Sequence, residues 1–133
     1  MREILFRGKS NWTEGKVKKG DWLYSMTISK HCYNDEEITS YYIGGGNKTI
    51  DGKTLGQYTG LADKNGTKIF EGDIVKVFLK DGVEIGYIRY RDAGCRFQFM
   101  GEYSIGYNID NTTEFEVIGN IHDNPELLGG DEE

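Results

Sequence analysis

The strongest constraint on the fold of this chain is the alternation of apolar and polar residues in several short segments. In an extended strand, successive side chains point to opposite faces, so a period of two predicts a half-buried β-strand. This alternation, together with β-branched and aromatic content, predicts strands over residues 21–29, 38–43, 95–100 and 115–121. Nineteen glycines against a single proline favour many tight turns. We therefore expect a mainly β protein.

Local turn signals predict two hairpins and one helical turn. Asn65-Gly66 and Asp81-Gly82 both tolerate the positive φ angles of a type I′ turn. Near the end of the chain, Asn124 is a candidate cap, Pro125 suits the first helical position and Gly129 can terminate the turn. The sequence therefore predicts hairpins at the two dipeptides and a short C-terminal helical turn.

The hairpin predicted at Asp81-Gly82 carries apolar residues on both of its faces. With these two residues as the loop, Val75 lies opposite Ile88, and Phe78 lies opposite Ile85. A strand pair that is apolar on both faces has to be covered on both, by closure of the sheet into a barrel, by a second layer or by another subunit. The hairpin therefore makes self-association an expectation of the sequence.

The length of 133 residues suits one domain. Within it, the glycine-rich stretch over residues 44–60 is predicted to be a long loop that separates an N-terminal β layer from a C-terminal part. We expect the β layer to span residues 1–50, a barrel portion to span residues 51–128 and an acidic tail to span residues 129–133.

Cysteine content and apolar runs bear on the cellular compartment. Two cysteines, Cys32 and Cys95, are too few for the disulfide framework of a small secreted domain, so we expect free thiols. The run Ile4-Leu5-Phe6 near the start is far shorter than the roughly 7–15 apolar residues of a signal peptide. No run approaches the roughly 18 apolar residues of a membrane span. We expect a cytoplasmic protein with no membrane partner.

The residues that could act in catalysis or bind a metal lack the spacing of a known site. Glu71 and Asp73 form a carboxylate pair, but such spacing is common in turns. His31 and Cys32 are neighbours, and neighbours on a strand point to opposite faces. The segment over residues 44–48 lacks the Gly-Lys-Ser/Thr ending of a phosphate-binding loop. We predict no catalytic residues, no metal site and no cofactor.

The segment over residues 54–75 resembles the signature of the YopX family of phage and prophage proteins. Further matches over residues 6–9 and 116–128 extend the resemblance to essentially the whole chain. The resemblance implies a mainly β, barrel-containing fold encoded by bacteriophages or prophages of low-GC Gram-positive bacteria. It implies no established activity and supplies no catalytic residues. The signature residues are Gly56, Gln57, Tyr58, Thr59, Gly60, Leu61, Asn65, Gly66, Glu71, Gly72 and Asp73.

This signature has a structural interpretation. Gly56 and Gly60 allow the backbone to turn sharply on either side of Tyr58, whose ring can then pack. Residues 63–66 are predicted to form a hairpin turn, and residues 71–73 a turn into the next strand. Polar residues in these turns need no catalytic role.

Charge bears on nucleic-acid binding in two opposite ways. The formal net charge of −6 repels a phosphate backbone on average. Locally, however, Arg89, Arg91 and Arg96 lie close in sequence to Tyr90 and Phe97. Arginines can bind phosphates while rings stack on bases, so this group is a candidate patch for single-stranded nucleic acid. A second cationic group near the N-terminus contains Arg7, Lys9, Lys16, Lys18 and Lys19.

The sequence leads to one main functional hypothesis and two alternatives. The main hypothesis is a non-enzymatic phage accessory protein in the bacterial cytoplasm, which binds a host or phage protein or associates with itself. The first alternative is a small-barrel protein that binds single-stranded nucleic acid through Arg89, Tyr90, Arg91 and Arg96, because the strand before them resembles the KOW element of small barrels. The second is an enzyme, which would need a deep pocket lined by polar groups with shifted pKa values.

Overall fold

A computed structural model describes residues 3–32, 39–44, 48–110 and 112–129. In these residues the chain forms antiparallel β-strands and one 3₁₀-helix, which confirms the prediction of a mainly β protein. The strands are β1 (Phe6–Ser10), β2 (Trp22–Ser25), β3 (Ile28–Cys32), β4 (Thr39–Ile43), β5 (Thr49–Ala62), β6 (Lys68–Phe70), β7 (Asp73–Leu79), β8 (Gly82–Arg91), β9 (Arg96–Gly101), β10 (Ile105–Asn108) and β11 (Glu114–Asn120), and the 3₁₀-helix spans Pro125–Leu128.

The strands form two antiparallel sheets. The first has the order β2-β1-β5-β4-β3, with β6 paired to β5, and the second has the order β10-β9-β8-β7-β11. Within the described residues neither sheet closes on itself, so the predicted barrel is not confirmed. Open sheets retain edge strands, which here are β2 and β3 in the first order and β10 and β11 in the second.

The chain divides into two compact units, Met1–Tyr58 and Thr59–Glu133. The N-terminal unit contains β1 to β4 and most of β5, and the C-terminal unit contains β6 to β11 and the 3₁₀-helix. The predicted single domain, with its β layer over residues 1–50 and its second portion over residues 51–128, stays a prediction. Residues 130–133 of the predicted acidic tail lie outside the described residues.

In the N-terminal unit, the prediction of one continuous strand over residues 21–29 is wrong, because the chain forms two strands there, β2 and β3. The hydroxyl of Ser25 accepts the backbone N–H of Thr27 at 3.1 Å and thereby turns the backbone out of the strand. Strand β2 pairs with β1, whereas β3 pairs with β4. Met26, which the alternation placed on a buried face, is 71% exposed.

The long strand β5 bulges where it pairs with β1. The register shifts between Arg7 and Lys9, and Thr54 holds the bulge together. The hydroxyl of Thr54 accepts the backbone N–H of Lys9 at 2.8 Å and donates to the carbonyl of Asp51 at 2.6 Å. Part of the stretch predicted as a loop over residues 44–60 is therefore a strand.

The C-terminal unit has the core that the alternation predicts. Strand β7 turns Val75 and Val77 inward, and the ring of Phe99 on β9 is fully buried against that of Phe115 on β11, with ring centroids 6.2 Å apart. Burial of such side chains stabilises the fold by roughly 1.5–3 kcal/mol each. The buried cluster, called the inner core below, contains Ile69, Val75, Val77, Ile88, Phe99 and Phe115.

The hairpin of β7 and β8 is present, but its register differs from the predicted one. Its two-residue loop is Lys80-Asp81, one position earlier than the sequence suggested. The predicted pairs Val75–Ile88 and Phe78–Ile85 are therefore each wrong by two positions. Because an even shift leaves every side chain on its own face, the predicted division of the hairpin into two apolar faces is retained.

The turn at Asn65-Gly66 also forms a hairpin, between β5 and β6, but it is not of type I′. The backbone N–H of Gly66 donates to the carbonyl of Asp63, and the N–H of Asp63 donates to the carbonyl of Thr67. The positive φ angle belongs to Gly66, at 86°, and Asn65 does not share it. A turn followed by one left-handed glycine closes this three-residue loop.

The C-terminal turn forms as a 3₁₀-helix that ends at Gly129, whose φ of 72° is left-handed. Among the described contacts, the carboxamide of Asn124 does not cap this helix. It accepts the backbone N–H of Asn120 at 3.2 Å instead, so the predicted capping role is wrong. A side chain at Gly119 would overlap Asn124 and Leu127, so this glycine lets the helix pack on β11.

Candidate functional site

A groove of about 1290 Å³ lies at the end of the second sheet that carries the β7–β8 and β9–β10 turns, and most of its strand residues lie on the face turned away from the inner core. We call this side the groove face. The strand register places Phe78, Val83, Ile85, Tyr87, Met100 and Ile105 on it. Several large apolar side chains of this region are exposed to solvent, and they are Val83, Ile85, Tyr103, Ile105, Tyr107, Leu127 and Leu128.

The alternation of β8 explains why the groove face is apolar. Gly86 and Ile88 face the inner core, whereas Val83, Ile85 and Tyr87 face the groove. On the groove face of the neighbouring strand β7, Ile74 is buried. On β8, by contrast, the side chain of Val83 is 56% exposed and that of Ile85 is 40% exposed. The expectation that both faces of this hairpin are covered is therefore met within the chain on the inner face, whereas cover of β8 on the groove face by another subunit stays a prediction.

One carboxylate shapes the wall of the groove. Glu84 accepts the backbone N–H groups of Tyr103 and Ser104 at 2.7 and 2.9 Å and the hydroxyl of Ser104 at 2.8 Å. Burial disfavours the charged form of Glu84, but these hydrogen bonds outweigh burial and hold the pKa of its carboxyl below the usual value. The ionised carboxylate thus fixes the turn that presents the ring of Tyr103 to solvent.

Three arginines lie at the far end of the groove face. Arg91 pairs directly with Arg96 across β8 and β9, and Arg89 pairs with Gln98. The guanidinium of Arg89 donates to the buried carboxamide of Gln98 at 3.2 Å, and Gln98 donates in turn to Asn108 at 3.2 Å. The structure therefore brings together the three arginines that the sequence singled out.

Tyr90, the fourth residue of the candidate nucleic-acid patch, lies on the opposite face from these arginines. It pairs with Phe97 across β8 and β9, and the two rings meet edge to face with centroids 5.1 Å apart. Phe97 packs against the inner core. The guanidinium groups and these two rings are thus on different sides of the sheet.

The signature segment over residues 56–61 is structural in the places where its contacts are described. Gly56 and Gln57 pair with β1, and the backbone N–H of Tyr58 donates to the carbonyl of Leu5 at 2.8 Å. The hydroxyl of Thr59 donates to the carbonyl of Ile69 at 2.8 Å. The remaining two residues are Gly60, which has a φ of 93°, and Leu61, which packs against the inner core.

Asp63 has a role that the sequence did not reveal. Its carboxylate accepts the backbone N–H groups of Asn65 and Thr67, and also that of Val117 on the last strand, each at 2.9 Å. Burial raises the pKa of Asp63, but the three hydrogen bonds outweigh burial and lower it overall. An aspartate at the start of a turn is the signal for the first two bonds, whereas the bond to Val117 depends on the tertiary fold.

The pair Glu71 and Asp73 belongs to the turn into β7, as predicted. The buried carboxylate of Asp73 accepts the backbone N–H of Phe70 at 2.7 Å. Gly72, with a φ of 92°, donates its N–H to the carbonyl of Ile88 and accepts the N–H of Ile121. In the described parts of the chain, no three His, Cys, Asp or Glu side chains come together as a set that could hold a metal ion.

The predicted pair His31 and Cys32 is described in part. The ring of His31 meets that of Tyr42 edge to face, with centroids 4.9 Å apart, and the side chain of Cys32 lies outside the described residues. Cys95 is an exposed free thiol whose φ of 52° places it in the turn before β9. The strand predicted to begin at Cys95 therefore begins at Arg96.

The N-terminal unit has a second, smaller cavity of about 550 Å³. Nearby, the guanidinium of Arg7 lies 4.6 Å from the ring centroid of Trp22, and the ammonium of Lys9 lies 5.6 Å from it. The structure therefore uses two of the five N-terminal cations to cover one tryptophan. The cavity is lined by Lys9, Ser10, Asn11, Lys19, Gly20, Ile50, Asp51 and Gly52.

Comparisons with known proteins identify a family and a fold. The model of the family described as YopX protein matches residues 3–129. The crystal structure of protein EF1440 from Enterococcus faecalis is similar, with a TM-score of 0.53 and 23% sequence identity over 96% of this chain and 99% of that chain. No curated protein matches the chain. Across the described residues, no helix has the length and apolar character needed to cross a bilayer.

Proposed function

This chain belongs to the YopX family, and on that premise we propose that it is a non-enzymatic binding module of a bacteriophage or prophage that acts in the cytoplasm of the bacterial host. The groove face is the surface through which it binds a protein. The observation that carries the proposal is the cluster of exposed apolar side chains there, with Tyr103 83% exposed and Ile105 69% exposed. Exposed apolar patches of this kind mark interaction surfaces on soluble proteins.

The groove supports binding better than catalysis. Glu84 is the carboxylate in it with a shifted pKa, and both of its oxygens already accept hydrogen bonds from Tyr103 and Ser104. A general acid or base needs an oxygen that can reach the substrate. Tyrosine and methionine side chains, such as Tyr107 and Met100 in the groove, are instead enriched at protein interfaces.

A photo-crosslinking experiment tests this function. We replace Tyr103 with a benzophenone amino acid and irradiate the native bacterial host, with the same replacement at Tyr24 as a matched control because Tyr24 is 54% exposed in the N-terminal unit. The proposal predicts a covalent protein adduct from the Tyr103 position and none from the Tyr24 position. Mass spectrometry of the adduct identifies the crosslinked protein. If position 103 gives no protein adduct, the proposed function is wrong.

The three arginines on one face favour single-stranded nucleic-acid binding as a second candidate. The separation of these arginines from Tyr90 and Phe97 weakens it, because stacking and phosphate contacts would come from opposite sides. Fluorescence anisotropy with labelled single strands at low salt tests this candidate. This candidate requires that the natural chain binds the labelled strands and that the double variant, Arg89→Ala with Arg91→Ala, has an affinity for them at least about 10-fold lower. Equal affinity of the variant and the natural chain excludes it.

A further inference from the structure

The charges of the groove face are separated along its strands. At the end near the Lys80-Asp81 loop, the face and its rim are net negative. The opposite end is net positive because of the three arginines. The charged residues of the first end are Asp81, Glu84, Glu102, Glu114, Lys64 and Lys80, and those of the second are Arg89, Arg91, Arg96 and Asp92. Lys76 and Glu116 pair with each other level with Ile85 in the middle of the face, where their charges cancel.

The two charged ends are separated by the apolar part of the same face. Val83, Ile85 and Tyr87 precede Arg89 and Arg91 at alternate positions of β8, so all five lie on one side of the strand. At roughly 3.3 Å per residue, the eight steps along the strand from Val83 to Arg91 span about 26 Å. The face is therefore acidic, then apolar, then basic along one direction.

A surface with this order of properties is complementary to itself. Consider two copies whose groove faces lie against each other, related by a two-fold axis that runs between the sheets and perpendicular to the strands. This axis reverses the direction of the strands in the second copy. It leaves the position of each strand across the sheet unchanged. It therefore places the apolar part of one copy on that of the other, and each basic end over the acidic end of the partner. Such isologous contacts are the usual basis of homodimers.

We propose that the groove face is a homodimer interface, in which Arg91 and Arg96 of each copy face the acidic end of the other copy near Asp81 and Glu102. This inference rests on the proposed function and names its partner as a second copy of this chain. With a net charge of −6, two copies repel each other at long range, so the pairing of opposite ends offsets this repulsion and fixes the orientation of the two copies. Burial of the apolar part of the face stabilises the contact.

A mixing experiment with charge reversal tests the inference. Variant A carries Arg91→Glu with Arg96→Glu, and variant B carries Asp81→Arg with Glu102→Arg; all four residues are exposed. In a homodimer of A, acidic groups face acidic groups, and in a homodimer of B, basic groups face basic groups. In a dimer of A with B, every contact again joins opposite charges.

The expected result is a dimer for the natural chain, dissociation constants raised by at least about 10-fold for A and B alone, and a mixed dimer whose affinity returns to that of the natural chain. Light scattering coupled to size-exclusion chromatography measures the masses. The inference is overturned if the natural chain is a monomer at all accessible concentrations, or if mixing A with B forms no more dimer than either variant alone.

The crosslinking and mixing experiments separate the two proposals. If Tyr103 crosslinks to a different protein while the natural chain stays monomeric, the binding function stands and the homodimer is wrong. If the natural chain binds single strands, stays monomeric and loses that binding in variant A, the arginines serve nucleic acid and the homodimer is again wrong. Recovery of the dimer on mixing also shows that both variants are folded.

Discussion

Asp63 illustrates, at the scale of single residues, how one side chain joins distant parts of the C-terminal unit. Its carboxylate satisfies two N–H groups of its own turn and one from Val117, and it is 8% exposed. A buried N–H group that loses its acceptor costs roughly 1–3 kcal/mol. The sequence shows an aspartate before Asn65-Gly66, which predicts the turn. It does not show that the last strand, 54 residues later, uses the same carboxylate.

We predict that Asp63→Ala lowers the free energy of unfolding by about 3 kcal/mol, because three N–H groups lose their acceptor. Urea denaturation followed by circular dichroism measures the change, because both tryptophans, Trp12 and Trp22, lie in the N-terminal unit. The control is Asp51→Ala, since Asp51 is exposed and accepts the N–H of Lys53 at the surface, and its expected effect is below about 1 kcal/mol. Equal effects of the two substitutions would contradict this role of Asp63.

The lowered pKa values of Asp63 and Glu84 predict an acid-sensitive fold. A carboxyl group whose pKa is lower in the folded chain stabilises it at pH values above the unfolded pKa, and this stabilisation is lost as the pH falls through the folded pKa. We therefore expect the urea concentration at the unfolding midpoint to decrease when the pH is lowered below about 4. The decrease should be smaller in Asp63→Asn, which cannot titrate at this position, and an identical decrease in both chains would refute the assignment.

At the scale of elements, the alternation of apolar and polar residues predicts which face of each strand is buried but not which residues lie opposite each other. The β7–β8 hairpin shows why, since registers that differ by two residues bury the same side chains. The actual register places Gly86 opposite Gly101, and the ring of Phe99 lies against both glycines. This choice depends on a third strand, β9, which the hairpin sequence cannot reveal.

The close approach at Gly86 leads to a prediction for this element. A Cβ atom there would overlap the carbonyl oxygen of Met100 and lie 2.7 Å from the ring of Phe99, and the backbone oxygen cannot move without shifting β9. We expect Gly86→Ala to destabilise the chain by roughly 1–3 kcal/mol. Thermal unfolding followed by circular dichroism measures this, and an unchanged midpoint would show that the sheet tolerates the methyl group.

At the scale of the whole molecule, the candidate site combines segments that are far apart in sequence. The apolar alternation of β8 and the arginine spacing predict part of the groove face. The sequence could not predict that Tyr103, Tyr107 and Leu127 line the same groove, because the strand order and the packing of the 3₁₀-helix bring them there. Alternation does predict that Arg89 and Tyr90 point to opposite faces, an argument that weakens the nucleic-acid hypothesis.

The most direct test of the homodimer is the mass in solution after one change at the centre of the groove face. Ile85→Glu places a charge among the apolar side chains, and Met26→Glu is the control because Met26 is exposed in the N-terminal unit. Light scattering coupled to size-exclusion chromatography gives the masses of all three chains at equal concentration. We predict the mass of a dimer for the natural chain and for Met26→Glu, and that of a monomer for Ile85→Glu. A single common mass for the three chains would contradict the account.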